Sequence, residues 1–344
     1  MSVRVGINGF GRIGRNFLRA LLELDATGAA SDVDLVAVND MVAREVSTYL
    51  LRYDSTHGRL HHLVEETASG LRVGGRDVAV LREPDPKALG WGELGVDVVI
   101  ESTGRFTSRA AALAHVEAGA KRVIISAPSK DADATFVVGV NDVEFDPARH
   151  VVVSGASCTT NCLVPMVKVA DDAFGLRQGL MTTVHAYTND QELLDLGRDN
   201  LRRARAAAVN IVPTSTGAAR ATSLVLEAMK GRLDGWSLRV PVVDGSITDL
   251  TAVLGVLATA EDVNEAFRAA AADGPLAGIL EYSEDQIVSS DIVGRAASCI
   301  FDSTLTMAIP LDDSSTLVKL LGWYDNEWGY SNRLIDLCRV VGNA

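Results

Sequence analysis

The first half of the chain alternates short apolar runs with segments of helical pattern. An apolar run rich in β-branched residues at Val3–Asn8 is followed by glycines and by a stretch whose apolar residues share one helical face. Further strands are predicted at Leu35–Asn39, Val96–Ile100 and Val123–Ile125, and an alanine-rich helix is predicted at Ser108–Ala118. Alternating helices and nearly continuous apolar strands are typical of a parallel, doubly wound sheet.

The pattern changes after about residue 150. Longer strands are predicted at Leu180–His185, Trp236–Val243 and Ile247–Leu257, and few helices separate them. This arrangement favours a mainly antiparallel sheet with helices on one face. The segment Asn326–Val341 has a helical pattern again, and we expect it to return to the first domain.

The length of 344 residues agrees with two domains, since single domains usually have about 100–200 residues. We expect an α/β domain around the parallel sheet, formed by residues 1–157 with 326–344. Residues 158–325 would form a second domain of α+β class around the antiparallel sheet.

Composition narrows the class of protein. The net charge of −13 disfavours general binding to nucleic acid or to an anionic membrane, and no apolar run approaches the roughly 18 residues of a spanning helix. The four cysteines are too scattered for a disulfide framework, and no Cys/His cluster indicates structural zinc. We expect a reduced, cytoplasmic protein without a metal site.

A glycine loop follows the first predicted strand. Gly9, Gly11 and Gly14 form the pattern G-x-G-x-x-G at the mouth of a helix, which is typical of the dinucleotide site of a Rossmann-type domain. The glycines would allow a tight turn, close approach to a pyrophosphate and close packing of helix on strand. Asp40 ends the second predicted strand, where a carboxylate would bind the ribose hydroxyls and repel a 2′-phosphate. The pattern therefore predicts NAD as cofactor rather than NADP.

A candidate nucleophile stands at the start of a helix in the second half. Cys158 follows a predicted strand, and helix N-terminal amides would stabilise its thiolate. His185 ends an apolar strand and precedes a polar loop, so it is the candidate general acid or base for that thiol. From these residues alone, a hydrogen-bonded structural histidine is an equal alternative. Cys162, Cys299 and Cys338 are interpreted as small core residues.

Three features indicate anion sites in an otherwise acidic chain. A basic cluster lies at Leu201–Arg205, and Thr216-Gly217 opens an alanine-rich helix. Arg239 lies inside a predicted strand, which is unusual for a charge unless it is paired or binds a ligand. Two anion sites near a nucleophilic thiol would suit a phosphorylated substrate and free phosphate.

Taken together, the ordered motifs resemble the phosphorylating glyceraldehyde-3-phosphate dehydrogenase family over essentially the whole chain. The strings that carry the resemblance are Arg4–Arg15, Tyr53–Gly58, Glu101–Gly104, Ser157–Leu163, His185–Thr188, Thr216–Ala219 and Trp323–Tyr330. The resemblance implies an NAD-dependent oxidation of glyceraldehyde 3-phosphate through a thioester. It also implies a homotetramer in which the region 177–210 includes a loop that lines a neighbouring cofactor site.

The resemblance assigns roles residue by residue. Cys158 would be the nucleophile and His185 its acid/base partner. Thr188 and Arg239 would bind the phosphate group of the substrate, and Arg202 would also contact the substrate. The site of the attacking phosphate would be formed by Ser157, Thr159, Thr216 and Gly217. Besides the loop glycines, the expected NAD contacts are Arg12, Ile13, Asp40, Ser126 and Asn326.

The chain departs from the family pattern at several positions. Gly155 and Asp244 each replace a usual asparagine, and Asp244 would bring acidity close to Arg239. Met41 and Gly197 match neither the familiar NAD pair nor the NADP pair, so the cofactor preference rests on Asp40. Two alternatives stay open: erythrose-4-phosphate dehydrogenase, and a non-catalytic NAD(H)-binding redox sensor.

Overall fold

The computed structural model describes residues 2–29 and 32–343, which form two compact units. Unit 1 comprises the described residues up to 138, residues 142–156 and residues 331–343. Unit 2 comprises residues 139–141 and 157–330. Unit 1 is therefore discontinuous, because one of its segments follows all of unit 2 in the chain. Among the described residues no helix is long and apolar enough to cross a membrane.

Unit 1 is built around a nine-stranded sheet. Its elements are β1 (Val3–Asn8), α1 (Arg12–Ala26), β2 (Val33–Asn39), α2 (Arg44–Arg52), β3 (Tyr53–Asp54), β4 (Gly58–Arg59), β5 (Val64–Glu66), β6 (Gly70–Val73), β7 (Arg76–Leu81), β8 (Val98–Glu101), α3 (Arg109–Glu117), β9 (Arg122–Ile125), β10 (Ala134–Thr135) and β11 (Val152–Ser154). The strand order is β10-β11-β9-β8-β1-β2-β7-β6-β5, and β3 pairs with β4 separately.

The parallel part of this sheet confirms the predicted doubly wound class. All pairs from β10 to β7 are parallel, and β6 and β5 extend the edge as antiparallel strands. The apolar side chains of the central strands β1, β8 and β9 are all buried, as expected for parallel strands. The predicted apolar face of α1 is buried except at Ile13, which is half-buried because it lies in the first turn of the helix.

Unit 2 contains an eight-stranded mixed sheet. Its elements are α4 (Cys158–Phe174), β12 (Leu176–Ala186), β13 (Val212–Ser215), α5 (Ala218–Val225), β14 (Leu233–Val240), β15 (Ser246–Leu254), α6 (Ala260–Ala272), β16 (Leu280–Ser283), β17 (Cys299–Asp302), β18 (Met307–Asp312), β19 (Ser315–Tyr324) and the start of α7 (Trp328–Gly342). The main strand order is β13-β14-β12-β15-β19-β17-β16, and β18 pairs with β19.

Most neighbours in this sheet are antiparallel, but β16 runs parallel to β17, and β12 runs parallel to β14. Their register places His185 directly opposite Arg239, near the carboxyl ends of both strands. Two residues that are 54 positions apart in the chain thus become neighbours. The sheet therefore positions both residues of the predicted site on adjacent strands.

The helix that carries the candidate nucleophile has well-defined ends. Ser157 caps α4, since its hydroxyl accepts a hydrogen bond from the backbone N–H of Thr160. Gly175 ends the helix in the left-handed conformation, with φ of 65°. Cys158 is thus the first helical residue, where the helix dipole favours a negative charge.

Candidate active site

The three glycines of the loop between β1 and α1 differ in the space that a side chain would find at each position. Gly9 has φ of 100°, and a Cβ there would lie 2.7 Å from the backbone of Ser102 and Thr103. A Cβ on Gly14 would lie 2.6 Å from the carbonyl oxygen of Gly9, whereas one on Gly11 would meet no atom within 4 Å. The open space at Gly11 lies beside the N-terminus of α1. Its geometry fits a pyrophosphate, so the residues present fit NAD.

A cavity of about 360 Å³ adjoins this loop and brings Gly9, Gly11 and Asp40 together. Asp40 follows β2 directly, and its carboxylate accepts a hydrogen bond from the backbone N–H of Val42. Met41 also lines the cavity and is half exposed. A carboxylate at this position suits ribose hydroxyls and disfavours a 2′-phosphate.

Sequence reasoning missed the polar side chains that hold this cavity in shape. Asn39 donates a hydrogen bond to Asn8 (2.8 Å), and Asn8 donates to the buried carboxylate of Glu101 (2.6 Å). His115 and the backbone N–H of Thr103 bond the same carboxylate at 3.0 and 2.8 Å. The available signal was the polar residue at the end of each predicted strand, because the carboxyl ends of parallel strands meet at one sheet edge.

Arg12, another expected NAD contact, begins α1 and is paired within unit 1. Its guanidinium donates to both carboxylate oxygens of Asp54, at 2.6 and 3.2 Å. Burial alone would raise the pKa of Asp54, but the backbone N–H groups of His57 and Thr56 and the Arg12 guanidinium lower it to about 2. Arg12 is thus held by an ionised carboxylate at the start of the helix.

The other expected NAD contacts lie at separate points. Ile13 is in the first turn of α1, and Ser126 follows β9, where its hydroxyl donates to the backbone oxygen of Glu101 (3.0 Å). Asn326 belongs to unit 2, where its side-chain oxygen accepts a hydrogen bond from the hydroxyl of Ser246 (2.6 Å). The NAD contacts of these three residues stay predictions.

The structure brings Cys158 and His185 together in unit 2. The sulfur of Cys158 lies 3.5 Å from Nε2 of His185. Cys158 is half-buried and His185 is buried. A thiol within hydrogen-bond distance of an imidazole is the arrangement that nucleophilic catalysis by cysteine requires.

Two groups contact the other imidazole nitrogen. Nδ1 of His185 lies 2.7 Å from the backbone oxygen of Ala186 and 2.7 Å from a guanidinium nitrogen of Arg239. That nitrogen of Arg239 also donates to the Ala186 oxygen, at 3.0 Å. We assign Nδ1–H donating to Ala186, because the carbonyl then accepts both bonds. This tautomer leaves a lone pair on Nε2 facing the thiol.

Burial favours the neutral form of both groups. It raises the pKa of the Cys158 thiol to about 11, although the Arg239 charge and hydrogen bonds from Thr159 act in the opposite direction. Burial and the nearby Arg239 charge lower the pKa of His185 to about 3. The site therefore holds a thiol and a neutral imidazole, which can accept the thiol proton during the reaction.

Tyr324 supports this pair and was not singled out from the sequence. Its hydroxyl bonds the hydroxyls of Thr159 (2.9 Å) and Thr183 (2.8 Å), and its ring stands edge-on to His185 at 5.8 Å. Burial raises the pKa of Tyr324 well above its usual value. The only signal for this residue in the sequence was its place in the string Trp323–Tyr330.

Thr188 and Arg239, the predicted site for the substrate phosphate, meet at Asp190. Thr188 donates to one carboxylate oxygen (2.5 Å), and Arg203 donates to the other (2.5 Å). A guanidinium nitrogen of Arg239 lies 3.8 Å from that second oxygen. Two arginines therefore converge on one carboxylate beside the cysteine–histidine pair.

Arg202, the arginine predicted to contact the substrate, lies at the edge of this cluster rather than on Asp190. Its side chain is exposed, and its backbone N–H donates to Asn200. The arginine that approaches Asp190 is Arg203, which also donates to the hydroxyl of Thr214 (2.8 Å). Residues 201–204 form a turn, in which successive side chains leave in different directions. The sequence showed the basic cluster, but not which arginine faces inward.

The residues predicted to bind the attacking phosphate stand at two helix N-termini. Ser157 caps α4, and Thr159 directs its hydroxyl to buried Tyr324. Thr216 accepts a hydrogen bond from the backbone N–H of Ala218, and Gly217 precedes α5. A Cβ on Gly217 would meet no atom within 4 Å. Phosphate binding by these residues stays a prediction.

Asp244 bonds a second acidic side chain. The carboxylate beside Arg239 is Asp190, whereas Asp244 is hydrogen-bonded to the side chain of Asp325. Burial and the negative charges of Asp325 and Glu327 raise the pKa of Asp244 to about 9. The raised pKa favours the uncharged form of Asp244 near neutral pH, which reduces the negative charge that it brings to the site.

Comparison with protein families gives two matches that follow each other along the chain. Residues 3–109 match the NAD binding domain of glyceraldehyde 3-phosphate dehydrogenase, and residues 157–326 match the C-terminal domain of the same family. The matched segments include the glycine loop and the cysteine–histidine pair. Together they cover more than half of the chain.

Curated relatives match over the full length. The chain is 58% identical over 343 residues to a glyceraldehyde-3-phosphate dehydrogenase of Streptomyces coelicolor, covering 100% of this chain and 99% of the relative. It is 56% identical over 346 residues to a protein of that name from Mycobacterium avium, with both chains fully covered. The chain is also 56% identical over 343 residues to glyceraldehyde-3-phosphate dehydrogenase 2 of Streptomyces avermitilis, covering 100% of this chain and 99% of the relative.

Proposed function

The chain belongs to the glyceraldehyde-3-phosphate dehydrogenase family, and from that premise we propose how its residues perform the reaction. The enzyme is an NAD-dependent dehydrogenase that converts glyceraldehyde 3-phosphate and inorganic phosphate into 1,3-bisphosphoglycerate. We assign NAD binding to residues 1–157 with 326–344 and catalysis to residues 158–325. These bounds differ from those of the two units at residues 139–141, 157 and 326–330. The observation that carries the catalytic assignment is the 3.5 Å approach of the Cys158 sulfur to Nε2 of His185.

Cys158 begins the reaction as nucleophile. Its proton passes to the lone pair of His185 Nε2, and the sulfur attacks the aldehyde carbon to give a hemithioacetal. The N-terminus of α4 and the donors of Thr159 stabilise the negative sulfur during this step. Protonated His185 then donates to the oxygen of the former aldehyde, so its Nε2 becomes basic again.

His185 next accepts the hydroxyl proton of the hemithioacetal, which leaves an acyl-thioester on Cys158. NAD, when bound, supplies the acceptor for the hydride that leaves the same carbon. Inorganic phosphate then attacks the thioester carbon and the C–S bond breaks, which releases the acyl phosphate. The Cys158 sulfur takes the proton held by His185, so that the thiol and the neutral imidazole are restored. The thioester retains the free energy of oxidation for the phosphate transfer.

The anion sites would orient the two phosphates. We assign the phosphate group of the substrate to Thr188, Arg239 and Arg203, because these donors converge beside the cysteine. We assign the attacking phosphate to Ser157, Thr159 and the start of α5 at Thr216-Gly217, where open backbone N–H groups favour an anion.

We propose that the enzyme works as a homotetramer. Six large apolar side chains are exposed between residues 193 and 211. Monomeric soluble proteins rarely expose so many apolar side chains in one segment. A groove of about 1050 Å³ over β12, β14 and β15 adds half-exposed Trp236 and exposed Leu180. Apolar surface of this extent supports contact with further copies of the chain.

We also place the enzyme in the cytoplasm. The four cysteines are free, in keeping with a reducing compartment. The strongly acidic net charge gives no support for binding to nucleic acid or to a membrane surface.

The experiment is a measurement of NADH formation from glyceraldehyde 3-phosphate, with and without inorganic phosphate, repeated with NADP and with erythrose 4-phosphate. We expect continuous, phosphate-dependent turnover with NAD and a clear preference for the triose. A single burst of NADH without turnover would retain Cys158 but contradict the assignment of the attacking-phosphate site. Faster turnover of erythrose 4-phosphate would contradict the proposed substrate preference, and NAD binding without any NADH would indicate the redox sensor.

A further inference from the structure

The carboxylate of Asp190 lies in the proposed site for the substrate phosphate. The chain itself therefore supplies an anion at that site. Its two carboxylate oxygens receive Thr188 Oγ1 and Arg203 Nη1, each at 2.5 Å, and Arg239 lies 3.8 Å away. These are the three donors that we assign to the substrate phosphate. In the free protein the carboxylate therefore stands among the groups that an incoming phosphate would contact.

The site nevertheless retains capacity for a further anion. Arg203 and Arg239 carry two positive charges against the single charge of Asp190, and neighbouring His185 is neutral. In the part of the chain that the structure describes, Nε of Arg239 is buried and has no hydrogen-bond partner. A buried guanidinium N–H without an acceptor is costly, so this atom indicates a ligand oxygen that is not supplied by the chain.

The two proposed anion sites need different affinities for inorganic phosphate. Inorganic phosphate has to bind at one site as a substrate, but at the other it would exclude the phosphorylated aldehyde. Two unopposed arginines form strong charge-assisted bonds with any phosphate. Selectivity therefore needs something that weakens the second site for free phosphate.

We propose that Asp190 is a built-in counter-anion that lowers the affinity of the substrate-phosphate site for free inorganic phosphate. This inference rests on the proposed function, because it uses the assignment of Thr188, Arg203 and Arg239. The phosphorylated aldehyde overcomes the competition because its carbonyl carbon also bonds to Cys158. Free phosphate has no second point of attachment, so it competes poorly with Asp190.

The test is the substitution Asp190→Asn, which preserves a side-chain oxygen for Arg203 and removes the charge. We expect the inhibition constant of inorganic phosphate against glyceraldehyde 3-phosphate to fall about tenfold. It is measured on the rate of the first NADH burst, because that step does not consume phosphate. Glu192→Gln is the matched control, because it neutralises a carboxylate of the same loop that is paired with Arg198. Inorganic phosphate should inhibit this control variant as strongly as it inhibits the wild type.

Asp190→Ala separates charge from positioning. If the charge acts, both the Asn and the Ala variants should bind free phosphate more tightly than the wild type. If Asp190 only orients Thr188 and Arg203, the Asn variant should resemble the wild type and the Ala variant should bind phosphate more weakly. Unchanged or weaker phosphate inhibition in Asp190→Asn overturns the proposal.

Calorimetric titration with inorganic phosphate keeps this test independent of the proposed function. It requires no turnover, so it reports on Asp190 even if the enzyme fails to oxidise glyceraldehyde 3-phosphate. We expect one phosphate-binding event to become about tenfold tighter in Asp190→Asn and to be lost when Arg239→Leu is added. If the wild type turns over normally but the titrations of the two proteins coincide, the inference on Asp190 fails and the proposed function stands.

Discussion

The glycine loop of unit 1 and the cysteine site of unit 2 are built by opposite means. The loop depends on missing side chains, since a Cβ on Gly9 or Gly14 would fall within 2.7 Å of backbone atoms. The cysteine site depends on side chains that are present, and α4, β12 and β14 each contribute one of Cys158, His185 and Arg239. Adding an atom to the glycine loop should therefore weaken NAD binding or folding, whereas changing or removing a side chain of the cysteine site should slow catalysis.

The largest effect on turnover should come from exchanging a single atom of the cysteine site, the sulfur of Cys158. Cys158→Ser replaces one sulfur by a poorer nucleophile whose proton is held far more tightly, so turnover should fall by about 10⁴-fold or more. The NAD dissociation constant, measured by titration, should stay within about twofold. Substantial turnover in this variant would remove Cys158 from the role of nucleophile.

Removal of the base should have the next largest effect. His185→Asn retains a polar side chain but cannot accept the thiol proton, so acylation should slow by about 10²–10⁴-fold. The measurement is the rate of the first NADH burst in rapid mixing. A loss below about tenfold would show that another group takes the proton.

Removal of a charge should affect one substrate more than another. Arg239→Leu should raise KM for glyceraldehyde 3-phosphate by about 10²-fold, because a charge-assisted contact to phosphate is lost. The control substrate is unphosphorylated glyceraldehyde, whose kcat/KM also reports any disturbance of His185. Equal losses with both aldehydes would argue against a phosphate contact at Arg239.

Addition of one carbon tests the other half of the comparison. Gly11→Ala should weaken NAD binding by about tenfold while the melting temperature of the free protein stays unchanged, because the new Cβ meets only open space. Gly9→Ala is the contrasting variant. It should lower the melting temperature as well, since its backbone has φ of 100° and its Cβ would collide with Ser102 and Thr103.

The smallest effect should come from neutralising a charge that is already mostly absent. The pKa of Asp244 is raised to about 9 in the folded protein and is near 4 when unfolded. Between these values the unfolded state loses the proton first, so the contribution of Asp244 to stability falls as pH rises. Asp244→Asn should therefore be more stable than the wild type by roughly 1–3 kcal/mol at pH 8.

The same variant carries its own control. The difference in stability should shrink as the pH is lowered towards about 4, where Asp244 is protonated in both states. Denaturant unfolding of both proteins over this range measures the slope. A constant difference at all pH values would show that the substitution acts through packing rather than through the proton.

Local pattern was enough to predict much of the fold. The run Val3–Asn8 is a strand with the same bounds, and the helix predicted at Ser108–Ala118 covers Arg109–Glu117 with Ser108 as its cap. The helix predicted from Asn326 begins at Trp328 instead, where the Asp325 carboxylate accepts the backbone N–H groups of Glu327 and Trp328. Caps and apolar runs act within a few residues, so the sequence displays them directly.

The cysteine site was harder to predict because its partners meet through the sheet. The sequence indicated Cys158 and His185 as candidates, but their 3.5 Å contact arises only after folding. The choice between Arg202 and Arg203 depends on the direction of a turn, and the long strand β19 that supplies Tyr324 was not predicted. Such side-chain directions follow from tertiary structure rather than from residue type.

The discontinuity of unit 1 has a consequence for synthesis on the ribosome. Residues 331–342 of α7 belong to unit 1, and there Val341 accepts a hydrogen bond from Arg122 (2.9 Å), while Gly342 fits against Val3 of the first strand. These residues are translated only after all of unit 2. The growing chain must therefore leave the surface around Val3 and Arg122 without this contact during most of its synthesis, a period in which chaperones can bind it.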